Sequence, residues 1–254
     1  MFRYFIKLSF DGANYHGWQS QDNANTVQAE VENALSILLN GKIEITGCGR
    51  TDAGVHAKEY YAHFDIESKI GKEIVKDLVY RMNAILPDDI SISGVFLVEN
   101  NFHARFSPIS RTYKYYMSRS KDPFNKNFSW NVYGNLDIDK MNAAASILFE
   151  FIDFTSFSKL HTDVKTNNCR IMQAEWTEEG SNLVFTIKAD RFLRNMVRAI
   201  VGTLLDVGKG KISTEDFRKI IEGKNRCDAG FSVPAKALFL DKIEYTESGL
   251  KGNL

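Results

Sequence analysis

Residues 49–57 combine an acid, a cation and two glycines in one short segment, Gly-Arg-Thr-Asp-Ala-Gly-Val-His-Ala. Asp52 lies between Gly49 and Gly54, and Arg50 precedes it by two positions. Glycine permits close backbone approaches that other residues do not, so a carboxylate between two glycines is typical of a loop pressed against a ligand. Arg50 is expected to keep Asp52 ionised, and it could also stack on a base or bind a phosphate. Asp52 is therefore the best catalytic candidate in the chain, with an ordinary polar turn as the alternative.

Residues 100–121 form a second chemical pattern. They include no Asp or Glu, and their cations alternate with aromatic residues: Arg105, Arg111, Lys114, Arg119 and Lys121 with Phe102, Phe106, Tyr113, Tyr115 and Tyr116. Cations interleaved with aromatics suit phosphates and unstacked bases together. The alternative is a basic edge strand whose aromatic side chains face the core.

Composition sets wider bounds. The 254 residues include 32 basic and 32 acidic side chains, so bulk charge does not predict a nucleic-acid partner. No apolar run approaches the roughly 18 residues of a membrane span and no charged-then-apolar leader begins the chain, so we expect a soluble, cytoplasmic protein without a membrane partner. Three cysteines lack C-x-x-C spacing and five histidines form no close pair, so neither disulfides nor a metal site is expected.

Hydrophobic periodicity predicts the elements that must position these residues. Branched and aromatic runs predict strands, and apolar residues recurring at i, i+4 and i+7 after Thr26 predict a capped helix. In the first part of the chain we predict strands at 2–10, 42–48, 59–66 and 90–98 and helices at 27–38 and 72–84.

The same order of elements restarts at Arg111. We predict strands at 111–118, 169–176, 183–189 and 238–245 and helices at 137–149, from 191 and at 214–222. The helix from 191 would align Arg191, Arg194 and Arg198 as a cationic ridge, for which a solvated face is the alternative. The economical interpretation is an α+β fold of two related halves, each a mostly antiparallel sheet with helices packed on one face.

Several segments together resemble one enzyme family. Residues 49–57 look like the catalytic loop of the tRNA pseudouridine synthase A family, which belongs to the pseudouridine synthases. The resemblance extends in order along nearly the whole chain through residues 10–12, 15–19, 102–107, 111–115, 153–157 and 192–198. Arg194 and Asn195 depart from the family pattern, so no role is carried over to Arg194.

The resemblance implies an enzyme that isomerises uridine to pseudouridine in the anticodon stem-loop of tRNA, without cofactor or metal. By similarity, Asp52 is the catalytic carboxylate and Arg198 pairs with it, Arg50 stabilises the flipped nucleotide, and Tyr113 stacks on the uracil. Leu193 is a candidate for the pocket wall, and His103 and Arg105 are candidates for RNA contact. The family further implies a homodimer and an active-site cleft between a catalytic half, 1–106, and a half carrying the stacking tyrosine and the arginine-bearing helix, 107–254.

The chemistry of the residues leaves other functions open. A carboxylate against the ribose could act as a nucleophile at C1′ or as a base at C2′. A tRNA-binding module of the same fold would need the basic aromatic segment but not Asp52. A hydrolase would usually need a second carboxylate, which the Asp52 loop lacks. His16 and His56 are more typical of hydrogen-bonding residues of the scaffold than of catalysts.

Overall fold

The computed structural model describes residues 1–159, 165–180 and 182–246. This part of the chain holds nine strands and five α-helices, which confirms the predicted α+β class. It divides into two compact units: Met1–Ile109 with the chain from Leu240, and Ser110–Phe239. Residues 240–246 thus group with the first unit, whereas the sequence analysis placed residues 107–254 in the second half.

The elements follow one another in the order β1 (Phe2–Phe10), α1 (Val27–Leu38), β2 (Thr46–Gly47), β3 (His56–Ile66), α2 (Lys72–Ile85), β4 (Ile90–Val98), β5 (Pro108–Ser118), β6 (Trp130–Asn131), α3 (Ile138–Ile147), β7 (Ile171–Glu179), β8 (Asn182–Ala189), α4 (Met196–Gly208), α5 (Thr214–Glu222) and β9 (Leu238–Tyr245). Most predicted elements are present at or near the expected bounds. Two predictions were wrong, and each error has a physical cause.

The sheet of the first unit has the strand order β4-β1-β3-β9, with β2 beside β3. Strand β1 is antiparallel to both β3 and β4. Helices α1 and α2 contact each other, and α2 packs against β4. Fully buried side chains such as Phe5, Leu35 and Phe64 fill the core of this unit. The hydrophobic periodicity of α1 therefore identified a true core face.

The predicted strand at 42–48 was wrong, because only Thr46–Gly47 pairs as a strand. Side chains of α1 satisfy the backbone before it. The Ile43 N–H donates to Ser36 Oγ at 3.0 Å, and the Ile45 N–H donates to Glu32 Oε1 at 2.9 Å. Backbone donors that are paired with side chains cannot join a ladder, so this segment is an irregular connection fixed to α1.

The sheet of the second unit has the order β5-β8-β7, with antiparallel neighbours, and the short β6 is parallel to β5. Helix α3 packs on β7 and contacts α4 and α5. Every residue of α4 is buried except Arg198 and Asp206. A helix that is apolar on nearly all sides belongs at the centre of its core, so a charged residue in it is conspicuous.

The predicted start of this helix at Arg191 was wrong, because α4 begins at Met196. Asn195 precedes it with a left-handed φ of 68°, which interrupts helical geometry. The backbone before it is bonded elsewhere, since the Arg194 carbonyl accepts from the Lys159 N–H at 3.1 Å. Arg191, Arg194 and Arg198 therefore do not form a helical ridge, and only Arg198 is in the helix.

Candidate active site

The loop that carries Asp52 is bonded to the preceding chain segment at two points. The Trp18 N–H donates to the Thr51 carbonyl at 3.4 Å, and the Gly54 N–H donates to the Tyr15 carbonyl at 3.3 Å. The Val55 N–H closes the turn on the Asp52 carbonyl at 3.2 Å. Asp52 itself is half-buried. Its carboxylate is thus presented by a backbone that is held on both sides.

Two glycines make this docking possible. A Cβ on Gly12 would lie 2.0 Å from the Val55 carbonyl oxygen, and a Cβ on Gly17 would lie 2.3 Å from the Thr51 carbonyl oxygen. Gly17 also has a φ of +93°. Any other residue would push the backbones apart, so the glycines set the distance between the loop and its support.

His56 fixes the far end of the loop. It is almost fully buried, and its Nδ1 lies 2.8 Å from Asp11 Oδ1 and 3.1 Å from the Gly12 nitrogen. The Gly12 N–H donates to Nδ1, so this nitrogen is the acceptor of that hydrogen bond. His56 therefore serves as a scaffold residue, as its type suggested.

Aromatic residues support the start of the loop, which the sequence analysis missed. The Tyr60 hydroxyl donates to the Gly49 carbonyl, and its ring stacks on Trp18 with centroids 4.1 Å apart. Both side chains are fully buried. Tyr60 reads as an ordinary core strand residue, and nothing in its local sequence indicates this contact.

Arg50 is exposed, and its Nε donates to Gln19 Oε1 at 3.3 Å. Within the described residues, Gln19 is the hydrogen-bond partner of Arg50. The side chain of Arg50 is therefore oriented by a neutral amide. Because this partner carries no negative charge, the positive charge of Arg50 remains available to an anionic ligand.

His103 and Arg105 belong to a loop that several backbone hydrogen bonds hold. The Arg105 N–H donates to His103 Nδ1 at 3.0 Å, and the Ala104 N–H donates to Nδ1 of the buried His63 at 3.3 Å. The rings of His63 and His103 meet edge to face at 4.6 Å. Burial lowers the pKa of His63 to about 4, so its ring is neutral at pH 7. The exposed Arg105 and Phe106 project from this rigid loop.

In the second unit, Tyr113 lies on β5 and is half-buried. The Phe192 ring contacts it edge to face, with centroids 5.1 Å apart and planes at 87°. Leu193, the next residue, is buried. The structure thus brings Tyr113 close to the segment before α4. The contact with Phe192 was not predicted, because the sequence analysis placed Phe192 inside the helix.

Arg198 is held by the chain that follows α5. Its Nε donates to the Val233 carbonyl at 2.7 Å, and the Val233 N–H donates to the Arg198 carbonyl at 3.2 Å. Gly202 allows this approach, because a Cβ there would lie 1.9 Å from the Phe231 carbonyl oxygen. The guanidinium of Arg198 is therefore oriented from its Nε side, in a helix that is otherwise almost entirely buried.

The predicted site residues fall into two groups. Arg50, Asp52, His103 and Arg105 lie in the first unit, on two separate loops, and Tyr113, Leu193 and Arg198 lie in the second. Among the described residues, no three His, Cys, Asp or Glu side chains gather where they could hold a metal ion. None of the helices in these ranges has the length and apolar character that crossing a membrane requires.

Comparisons with known proteins identify the class and then the family. Residues 152–246 match the family model described as tRNA pseudouridine synthase, which defines the class. Over 250 residues, covering 97% of this chain and 92% of the relative, the chain is 56% identical to a tRNA pseudouridine synthase A from Bacteroides thetaiotaomicron. Relatives with the same name in Porphyromonas gingivalis and Bacillus subtilis are 52% and 38% identical, and they cover 96% and 94% of this chain and 98% and 97% of their own lengths. The chain belongs to the tRNA pseudouridine synthase A family, which confirms the resemblance.

The glycine contacts give a first prediction. Gly17→Ala should lower the free energy of unfolding by about 2 to 4 kcal/mol, because a Cβ meets the Thr51 backbone and the φ is left-handed. Urea denaturation measures the change. Gly41→Ala is the matched control, since no atom lies within 4 Å of a Cβ there, and it should shift stability by less than about 1 kcal/mol. Equal effects of the two variants would contradict the packing argument.

A second prediction concerns Thr51, whose buried Oγ1 has no hydrogen-bond partner among the described residues. Thr51→Val keeps the shape and removes the unpaired hydroxyl, so unfolding should cost about 1 kcal/mol more. Thr26→Val is the contrasting control, because the Thr26 side chain caps α1 through the Ala29 N–H and its loss should cost about 1 kcal/mol. Chemical denaturation of both variants provides the test, and destabilisation by Thr51→Val would show that its hydroxyl is bonded.

The third prediction follows from His63. Its pKa falls from 6.5 in the unfolded chain to about 4 in the folded one, so between these values the unfolded chain binds more protons. Stability is therefore lost as pH falls from 6.5 toward 4, and His63 accounts for about 2 kcal/mol of that loss at pH 5.

His63→Gln retains an acceptor for the Ala104 N–H but does not titrate. Urea denaturation at pH 7.5 and pH 5 should show a smaller loss for this variant than for the native protein. His16→Gln, at an exposed histidine, should keep the native pH dependence. A native-sized loss in His63→Gln would exclude His63 as its source.

Proposed function

We propose that this protein isomerises uridine to pseudouridine in tRNA, with Asp52 as the catalytic carboxylate. The observation that carries the proposal is its 56% identity to a tRNA pseudouridine synthase A over 97% of the chain. The loop geometry supports it, because Asp52 is half-buried on a backbone that Gly12 and Gly17 hold close. A reacting carboxylate gains most from such fixed placement.

The reaction is balanced without a cofactor. The bond from N1 of uracil to C1′ of the ribose breaks, the base turns, and a bond from C5 to C1′ forms. The proton on C5 leaves, and N1 gains one. Asp52 acts on the ribose, either as a nucleophile at C1′ or as a base at C2′, and both routes need a carboxylate that is ionised and fixed.

The target uridine must leave the stacked helix before a side chain reaches its sugar. In our proposal, Arg50 stabilises the flipped nucleotide, Tyr113 stacks on the uracil beside Leu193, and Arg198 pairs with Asp52. Stacking on an aromatic ring contributes roughly 1 to 3 kcal/mol per base, and the edge contact from Phe192 would hold the Tyr113 ring in place. Each role follows the family resemblance and fits the side chain.

His103 and Arg105 contact the RNA backbone in this proposal. Their loop is held by its own hydrogen bonds, so its backbone loses little freedom on binding. We also propose that the substrate region is the anticodon stem-loop, that two chains form a homodimer which extends the binding surface, and that the enzyme works in the cytoplasm. A dimer would help a chain of zero net charge bind a polyanion.

Asp52→Asn tests the proposal. Pseudouridine mapping on an unmodified tRNA transcript should show product with the native protein and a rate at least about 10³-fold lower with the variant. The variant should bind the RNA at least as tightly, because it has lost a negative charge. Asp77→Asn, which removes an exposed carboxylate from α2, is the control and should keep native activity.

Two outcomes would overturn the proposal. If Asp52→Asn forms pseudouridine at the native rate, another group is the catalyst. If neither protein forms it on tRNA although both bind, the chain is a tRNA-binding module of the same fold.

A further inference from the structure

A chain of hydrogen-bonded side chains leads from the interior of the first unit to Arg50. It begins at Gln28 on α1, which is 8% exposed. Gln28 Oε1 accepts from the Ser20 N–H at 3.0 Å, and Gln28 Nε2 donates to the Ile45 carbonyl at 3.1 Å. Because backbone groups have fixed polarity, these two contacts determine which end of the Gln28 amide is oxygen and which is nitrogen.

Glu32 reinforces that orientation. Its Oε1 accepts from Gln28 Nε2 at 2.9 Å and from the Ile45 N–H at 2.9 Å. The carboxylate therefore lies on the donor side of the Gln28 amide. A reversed amide would place the Gln28 oxygen against both the Glu32 carboxylate and the Ile45 carbonyl, which is strongly unfavourable.

The orientation of the Gln28 amide determines the orientation of the Gln19 amide at the surface. Gln19 Nε2 donates to Gln28 Oε1 at 3.0 Å, so its own Oε1 is turned outward, where it accepts from Arg50 Nε at 3.3 Å. Had Gln28 been reversed, Gln19 would present an NH₂ group to a guanidinium, and two donors would face each other. The buried end of the chain thus decides that Arg50 meets an acceptor.

The contact through Nε has a consequence for Arg50. A long exposed arginine samples many rotamers, and fixing it costs roughly 1.5 to 2 kcal/mol of side-chain entropy. Gln19 engages Nε, and within the described residues no hydrogen bond is formed by the two terminal nitrogens of Arg50. These nitrogens form the edge that can bind two oxygens of a phosphate in parallel.

We propose that Gln19 is a positioning residue for Arg50 and that its orientation is set by Gln28. The relay holds the guanidinium before RNA arrives and leaves its paired donors for the substrate. This inference rests on the proposed function, in which Arg50 stabilises the flipped nucleotide. It adds residues for which the resemblance supplies no role.

A double-mutant cycle separates positioning from general support of the fold. Gln19→Leu, Arg50→Met and the double variant are compared by single-turnover pseudouridine formation on a tRNA transcript at saturating enzyme. Gln19→Leu should lower the rate about tenfold in the native background and by less than about twofold in the Arg50→Met background, since Gln19 acts through Arg50. Its melting temperature should stay within about 2 °C of native, because Gln19 is exposed.

Gln173→Leu is the matched control for this cycle. Gln173 is partly exposed in the second unit, where its amide donates to Glu175 at 2.5 Å, and its substitution should leave the rate unchanged. If Gln19→Leu slows the reaction equally in both backgrounds, it does not act through Arg50 and the proposal is overturned.

A second measurement does not depend on activity. The exchange of the Arg50 Nε proton with water, followed by NMR, should be about tenfold faster in Gln19→Leu than in the native protein and unchanged in Gln173→Leu. Unchanged exchange in Gln19→Leu would overturn the relay. If the native protein forms no pseudouridine, the proposed function fails, and this exchange rate still decides whether Gln19 positions Arg50.

Discussion

Direct contact between backbones is the constraint on which the Asp52 loop depends. The loop lies against residues 12–17 so closely that neither Gly12 nor Gly17 has room for a Cβ. Side chains repack when one of them changes, but two backbones in contact have no such freedom. The position of Asp52 is therefore set by distances that the fold cannot adjust. For a reacting carboxylate this matters, because a misplacement of about 1 Å costs on the order of 10²-fold in rate.

The second unit uses the same device around Arg198. Gly202 and Gly230 let residues 230–233 lie on the backbone of α4, and this contact brings the Val233 carbonyl to the Arg198 guanidinium. A charge in a buried helix is costly unless it is hydrogen-bonded, and the backbone carbonyl meets part of that requirement. In each unit, the backbone beside a charged side chain is thus placed by close contacts that depend on glycine.

Sequence patterns predicted an element well where residues within the element itself determine its bounds. Strands β1 and β4 and helix α5 have the expected bounds, since alternation, apolar spacing and caps lie within the segment. The predictions failed where groups outside the predicted element, or one unusual backbone conformation, determine its bounds. Glu32 and Ser36 prevent a strand at 42–45, and the left-handed Asn195 delays α4. The Asp52 loop could be selected as a candidate site from the sequence, because Gly49 and Gly54 flank Asp52 within a few residues. The contacts of Gln19, Tyr60 and Phe192 could not be predicted, because their partners Arg50, Gly49 and Tyr113 are not neighbours in sequence.

The neutral net charge is consistent with an RNA substrate once the cations are sorted by their use in the fold. In the segment without acids, Lys114 pairs with Glu179 at 3.8 Å and Arg111 donates to the Asp190 carbonyl at 2.7 Å, so both contribute to the structure of the second unit. Arg105, Arg119 and Lys121 are exposed. These three side chains are therefore the cations of this segment that remain available to phosphates. In the proposed function, recognition of the substrate relies on fixed, directional groups such as Arg50 and the Tyr113 ring, and such groups need a rigid backbone beneath them.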